Sequence, residues 1–244
     1  MKAEEYEIMY RVEDTLWWYR GMEAISRAVI ERNYARGGKL KILDAGCGTG
    51  AVMNYLTDYG CVTGMDFSSQ ALQFCRVRGK EQLTQGSVNR LPLADHNFDL
   101  VTSFDVLCCH GIDEHMALSE FVRVLKPGGR AMLRLPAYEW MRGAHDLAVN
   151  IAHRYTRDDI RQKLVQAGFE VEHVSHANML LFPLAAFKRL VMERLSRKQE
   201  KSDLTLGTGG MNSFFKNVLT TEAKWVAGAG LPFGLTVVAL ARKL

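Results

Sequence analysis

Between positions 42 and 50 the chain reads Ile42-Leu43-Asp44-Ala45-Gly46-Cys47-Gly48-Thr49-Gly50. An apolar, strand-like run passes straight into alternating glycines, and a helical pattern follows. Glycines at such a turn let the backbone approach a ligand at angles other residues resist. The helix beyond offers free N–H groups at its start. A glycine-rich turn alone is a weak signal, compatible with dinucleotide binding. Asp44 narrows it. A carboxylate at the strand end gains nothing beside a pyrophosphate, whereas it suits a cationic ligand. Asp66 then closes the next apolar run, Val62-Thr63-Gly64-Met65-Asp66. An acid at the tip of a second strand suits bidentate hydrogen bonding to ribose hydroxyls.

The rest of the chain repeats the alternation. The pattern predicts strands at Leu40–Ala45, Cys61–Met65, Leu83–Gly86, Phe98–Phe104, Arg130–Leu135, Phe169–Ser175 and Phe233–Ala241. Helices are predicted at Ala51–Tyr59, Ser69–Arg78, Glu114–Leu125 and Thr156–Ala167, with Lys126-Pro127-Gly128-Gly129 as a sharp stop and Thr156 as an N-cap. Strands interleaved with helices imply a mostly parallel sheet joined by right-handed crossovers. Two segments break the rhythm. Residues 1–36 read as helical around an aromatic cluster, Leu16-Trp17-Trp18-Tyr19-Arg20-Gly21. Residues 177–231 hold an apolar helical stretch (Leu180–Leu195), a basic patch from Lys188 to Lys201 and a glycine-rich loop at Gly207–Gly210.

Composition fits an ordinary globular protein: 244 residues, 48% hydrophobic, 24% charged, net charge +4. The mild charge falls short of a dedicated nucleic-acid binder. The cysteine count is five, odd and without a CxxC, which argues against a disulfide framework or a structural zinc site and for reduced thiols in the cytoplasm. The N-terminus lacks the pattern of a signal peptide, and no apolar run is long enough to span a membrane.

Asp44-x-Gly46-x-Gly48-x-Gly50 resembles the first motif of class I S-adenosylmethionine-dependent methyltransferases. Asp66 matches their ribose-binding acid. Leu91-Pro92-Leu93 with Asn97-Phe98-Asp99-Leu100-Val101, and then Arg123-Val124-Leu125-Lys126-Pro127-Gly128-Gly129, resemble the approaches to their fourth and fifth strands. The order and spacing hold over residues 40–136, and the closest likeness is to the subgroup of ubiquinone, menaquinone and natural-product methyltransferases. The resemblance implies an α/β, Rossmann-like, seven-stranded sheet of order 3-2-1-4-5-7-6. It implies one domain over 1–244: an N-terminal helical lid (1–36), a core (37–176 and 232–244) and an acceptor-binding cap (177–231).

For the cofactor, S-adenosyl-L-methionine, the resemblance puts Asp44, Gly46, Cys47 and Gly48 around the methionine part. Asp66 would hold the ribose, with Phe67 or Ser68 flanking the adenine. Ser87 and Val88 fall where the family usually places an acid for the adenine amino group, and Ser87 is expected to accept through its hydroxyl. Phe104, Asp105 and His110 follow the fourth strand and face cofactor and acceptor. Tyr19 and Arg20 are expected in a lid over the sulfonium and the methionine carboxylate.

Methyl transfer from a sulfonium is an in-line displacement that needs alignment and exclusion of water, and a base only for an acceptor of high pKa. His145, with Asp146 beside it to raise or orient its imidazole, and His110 are the candidate catalytic residues. Phe182, Phe187, Met192, Phe214 and Phe215 make the cap apolar, which suits a small apolar or aromatic acceptor, by base rates an oxygen. A monomer or homodimer is expected, with no metal and no nucleic-acid partner. A nucleic-acid methyltransferase is disfavoured because Ser103-Phe104-Asp105-Val106 lacks the prolines of the base-methylating turn. A non-catalytic binding module and a nicotinamide oxidoreductase are the remaining alternatives, the latter disfavoured by Asp44.

Overall fold

Strand polarity decides the architecture. The computed structural model describes residues 3–187, 189–190 and 209–244. Seven strands, β1 (Leu40–Ala45), β2 (Gly60–Asp66), β3 (Leu83–Gln85), β4 (Phe98–Phe104), β5 (Leu125–Pro136), β6 (Phe169–Ala177) and β7 (Thr236–Lys243), form one sheet of order β3-β2-β1-β4-β5-β7-β6. The first five pair in parallel, and β7 runs antiparallel between β5 and β6. The order implied by the family resemblance is the observed one.

Successive residues of the central strands point to opposite faces, and each face has its own core. Leu43, Val101 and Leu133 pack under α5 (Glu114–Val124) and α7 (Arg157–Gln166). Ile42, Leu100 and Met132 pack under α2 (Trp17–Ile30) and α9 (Asn212–Ala227). Fully burying one such side chain contributes roughly 1.5–3 kcal/mol, so the sheet is fixed from both sides. The helix starts carry local signals. Ser68 accepts from Ala71 N–H at the start of α4 (Ser69–Val77), and Asp113 accepts from Met116 N–H at the start of α5. Thr156 and Asp159 form a reciprocal capping box on α7.

The structure departs from the sequence reading in two places. The stop at Lys126–Gly129 ends α5 but does not delay the strand, because β5 already begins at Leu125 and absorbs the turn as a register shift against Phe98 and Leu100. The segment 177–231 is also not a cap throughout. Among the described residues α8 (Phe182–Phe187) stands over the site and Phe215 of α9 reaches it, whereas the rest of α9 joins the core layer, with Leu219 and Val226 fully buried. Gly21 permits this: a Cβ there would meet Leu219 at 2.5 Å, so α2 and α9 cross in close contact. Met192, most of the basic patch and the start of the glycine-rich loop lie outside the described residues.

Candidate cofactor and acceptor site

The carboxyl ends of β1, β2 and β4 open into a cavity of about 1260 Å³ that runs under α2 to α8. Its floor starts at the glycine loop. Gly46 and Cys47 donate backbone N–H groups to Met65 O at 2.7 and 2.9 Å, which ties the loop to the end of β2. Gly46, Gly48 and Gly50 all have positive φ, at 88°, 55° and 89°, the region where side chains are strained. A Cβ on Gly46 would strike Val106, and one on Gly48 would reach Cε of Met9 in α1 (Ala3–Val12) at 3.0 Å. The sulfur of Cys47 turns away to Cys75, 3.8 Å distant, so at Cys47 the loop presents backbone.

Asp44 is buried, 2% exposed. Its Oδ1 accepts from Thr102 Oγ1 at 2.8 Å, and its Oδ2 is buried with no hydrogen-bond partner among the described residues. An orphaned carboxylate oxygen is costly. Burial pushes the Asp44 pKa up to about 7, against the opposing pull of the Thr102 hydrogen bond and of Arg134. Such a group is completed by a cation, which is what the ammonium of an amino-acid ligand supplies. Asp66 is better satisfied: Oδ2 accepts from Gly48 N–H and Oδ1 from Ser68 N–H, both at 2.9 Å. Desolvation still raises its pKa. Each oxygen keeps a second lone pair for a hydroxyl donor.

The N-terminal segment roofs this floor. Tyr6 stands beside Asp66 and Ser68, and burial followed by the Asp66 charge raises its pKa to about 12. Glu13, 6% exposed, ties the roof down: its Oε1 accepts from Thr49 Oγ1 in the glycine loop and from Arg78 Nη2 at 2.7 Å. Arg78 in turn lies over the Tyr10 ring, 4.5 Å from its centre.

Sequence-predicted residues fall into groups. Asp44, Gly46, Cys47, Gly48, Asp66, Phe67, Ser68, Ser87, Val88, Phe104, Asp105, His110, Tyr19 and Arg20 all line the cavity. Their roles differ from one another. Phe67 is 77% exposed at the rim. The Ser68 hydroxyl is the α4 cap, and the Ser87 hydroxyl accepts from Asn89 N–H at 3.2 Å. Arg20 is half-exposed and paired with Glu23 at 2.5 Å, one turn along its own helix. His110 is exposed, its backbone N–H donating to Asn150 O at 3.1 Å.

Asp146 lies in a buried ion pair. Its carboxylate is fully buried, accepts from Gly143 N–H at 2.6 Å and pairs with Arg154 at 2.6 Å. These contacts hold the loop between β5 and α7. His145 lies in α6 (Ala144–Ala148), and its side chain is outside the described residues.

Arg134 was not anticipated. It stands in β5 opposite Phe104 of β4, 8% exposed, with its guanidinium 4.6 Å from the Phe104 ring centre and on Asp105 Oδ2 at 2.8–2.9 Å. The one available signal is an Arg inside the apolar run Met132-Leu133-Arg134-Leu135. The cavity is also lined by the apolar side chains of Trp17, Met141, Ile151, Leu181, Leu184 and Phe215, with Arg154 and Arg189 among them. Among the described residues no metal-binding cluster occurs and no helix is long and apolar enough to cross a membrane.

Known proteins share this arrangement. Residues 43–133 match the methyltransferase domain family. The chain is 36% identical over 113 residues to malonyl-[acyl-carrier protein] O-methyltransferase of Enterobacter lignolyticus, covering 45% of this chain and 42% of that protein. It is 28% identical over 191 residues to the ubiquinone/menaquinone biosynthesis C-methyltransferase of Shewanella halifaxensis, covering 63% and 74%. The alignments span only 42%, 60% and 51% of the length of three curated relatives. In fold, an S-adenosylmethionine-dependent methyltransferase of Mesorhizobium loti superposes with a TM-score of 0.59 at 18% identity, over 95% of this chain and 100% of that one. The sheet order, the matched domain and the glycine loop with its two acids together identify the chain as one carrying a class I S-adenosylmethionine-dependent methyltransferase domain.

Proposed function

We propose that this protein transfers the methyl group of S-adenosylmethionine to a small, largely apolar or aromatic organic acceptor, with an oxygen as the favoured site. The observation that carries the reading is one cavity lined by Asp44 and Asp66 at the glycine loop and by Met141, Ile151, Leu181 and Leu184 beside Arg154 and Arg189. When bound, the cofactor supplies an activated methyl on a sulfonium, itself the leaving group.

The chain's own residues then bind, orient and exclude water. Asp44 accepts from the ammonium of the cofactor and Asp66 from its ribose. Tyr6 and the Glu13 tether close the roof over them. The apolar wall of Met141, Ile151, Leu181 and Leu184 holds the acceptor and keeps water from the reacting centre. His110, exposed on the cavity lining, is the candidate to take a proton from a hydroxyl acceptor; Asp146 is paired with Arg154.

The name of the ubiquinone/menaquinone biosynthesis C-methyltransferase supports an organic acceptor of this kind, and that of the malonyl-[acyl-carrier protein] O-methyltransferase supports methylation at oxygen. The test is formation of S-adenosylhomocysteine with a panel of phenols, enols and carboxylic acids, set beside RNA and protein substrates. Turnover with apolar small molecules is expected. Turnover with the polymers alone would overturn the reading.

A further inference from the structure

Resting on the reading of this cavity as a cofactor and acceptor site, we infer that the acceptor carries a carboxylate and that Arg154 binds it. Met141, Ile151, Leu181 and Leu184 line the cavity together with two guanidiniums, Arg154 and Arg189. The two cations stand close together, since both reach Asp146, and Arg189 also donates to Met141 O. A wholly apolar acceptor would desolvate them and give no interaction in return.

The position of Arg154 is fixed by its neighbours. Ala152 and His153 N–H donate to Cys108 O, beyond β4, at 2.7 and 3.2 Å, and Tyr155 N–H donates to Pro136 O of β5 at 2.9 Å. The residue between them is therefore held on both sides by the sheet, which gives its side chain a defined reach into the cavity.

The guanidinium is only partly occupied. It carries five N–H donors in a rigid fork. Nε and Nη2 both donate to one oxygen, Oδ1 of Asp146, at 3.2 and 2.6 Å, and Nη1 donates to Ala137 O at 3.0 Å. One N–H on each Nη is left without an acceptor among the described residues. The two oxygens of a carboxylate suit such a pair of donors.

Charge points the same way. The Arg154 side chain is 5% exposed, and its counter-ion is shared: Oδ2 of Asp146 lies 3.4 Å from Nη1 of Arg189. Burial pulls the Arg154 pKa below its ordinary value; Asp146 opposes that pull, and the charge of Arg189 adds to it. A buried cation in this condition is stabilised by a second anion. The contact would form away from bulk water, where salt screens it little.

The test titrates the protein, saturated with S-adenosylhomocysteine, with phenylalkanoic acids of increasing chain length and with their primary amides, which keep the shape and lose the charge. At the chain length that reaches Arg154 the acid is expected to bind roughly 10- to 100-fold more tightly than its amide, the scale of a charged hydrogen-bonded contact. Arg154→Gln should bring acid and amide to about equal affinity, and Arg154→Lys should keep part of the preference. Because Arg154→Gln leaves Asp146 buried, the double variant Arg154→Gln/Asp146→Asn removes the pair as a neutral unit and should show the same equality. Affinity for S-adenosylhomocysteine, retained in each variant, reports that the fold is kept. Acids that bind no more tightly than amides at every chain length overturn the inference, as does a preference that survives in both glutamine variants. A wild type that binds S-adenosylhomocysteine but neither acids nor amides overturns the reading of a small apolar acceptor itself, and so separates that failure from this one.

Discussion

At the scale of single residues, the site is organised by which charges are already satisfied. Asp146 has its counter-ion in Arg154, and Asp66 has two backbone donors. Asp44 has one hydroxyl and an orphaned oxygen. Its raised pKa fixes the sign of a pH effect. The folded, ligand-free protein holds a proton on Asp44 up to about pH 7, while the unfolded chain releases it near pH 3.9. This contribution to stability is thus present at low pH and lost as pH rises toward 7. Asp44→Asn, neutral throughout, should melt close to wild type near pH 4 and above it at pH 8. A difference in Tm that does not change with pH would contradict the assignment. Asp66→Ala should weaken S-adenosylhomocysteine binding by about 1–3 kcal/mol, the scale of charged hydrogen bonds, read by titration; unchanged affinity would remove the ribose role. Asp146→Ala leaves Arg154 buried without its partner, a loss on the order of 3–5 kcal/mol. Thermal unfolding should therefore show a large fall in stability, and a normally stable but inactive variant would restore Asp146 to the chemistry.

The same scale shows where sequence reading succeeds. Asp44 and Asp66 are legible because a carboxylate at a strand end beside glycines has few structural reasons to be there. Arg134 is illegible because a lone Arg in an apolar strand could equally face solvent at the sheet end. Only the register with Phe104 and the covering α2 bury it. The ion pair of Asp146 is not legible in the sequence because its partner Arg154 lies eight residues on.

At the scale of elements, periodicity located the strands to within a few residues except at the start of β5, since a fully buried parallel strand must be apolar on both faces. It did not locate α9. An apolar helix reads the same whether it caps a pocket or completes a core, and the distinction lies in what it meets. Here it meets Gly21 of α2. Gly21→Ala gains up to about 1 kcal/mol of helix propensity but forces a Cβ into Leu219, and overpacking costs about 1–3 kcal/mol. Net destabilisation is expected in denaturant unfolding, and Leu219→Ala in the same chain should add less than its separate cost. Strict additivity would show that the two helices do not meet there.

At the scale of the whole molecule, charge and cavity point the same way. The chain carries +4 over 244 residues, and the six basic and two acidic residues of 188–201 account for that whole excess. The remainder is neutral, and the site is built around acids. A polyanionic acceptor would need the opposite. Raising ionic strength should accordingly leave turnover nearly unchanged, whereas a nucleic-acid acceptor would make it fall steeply.

The most direct measurement is a calorimetric titration of the intact protein with S-adenosylhomocysteine at pH 6 in two buffers of different ionisation heat. One-to-one binding with release of a proton is expected, because the ammonium requires the ionised form of Asp44 and the empty site holds it largely protonated. Absence of binding, or binding with no buffer dependence in the wild type, would contradict an S-adenosylmethionine site built on Asp44.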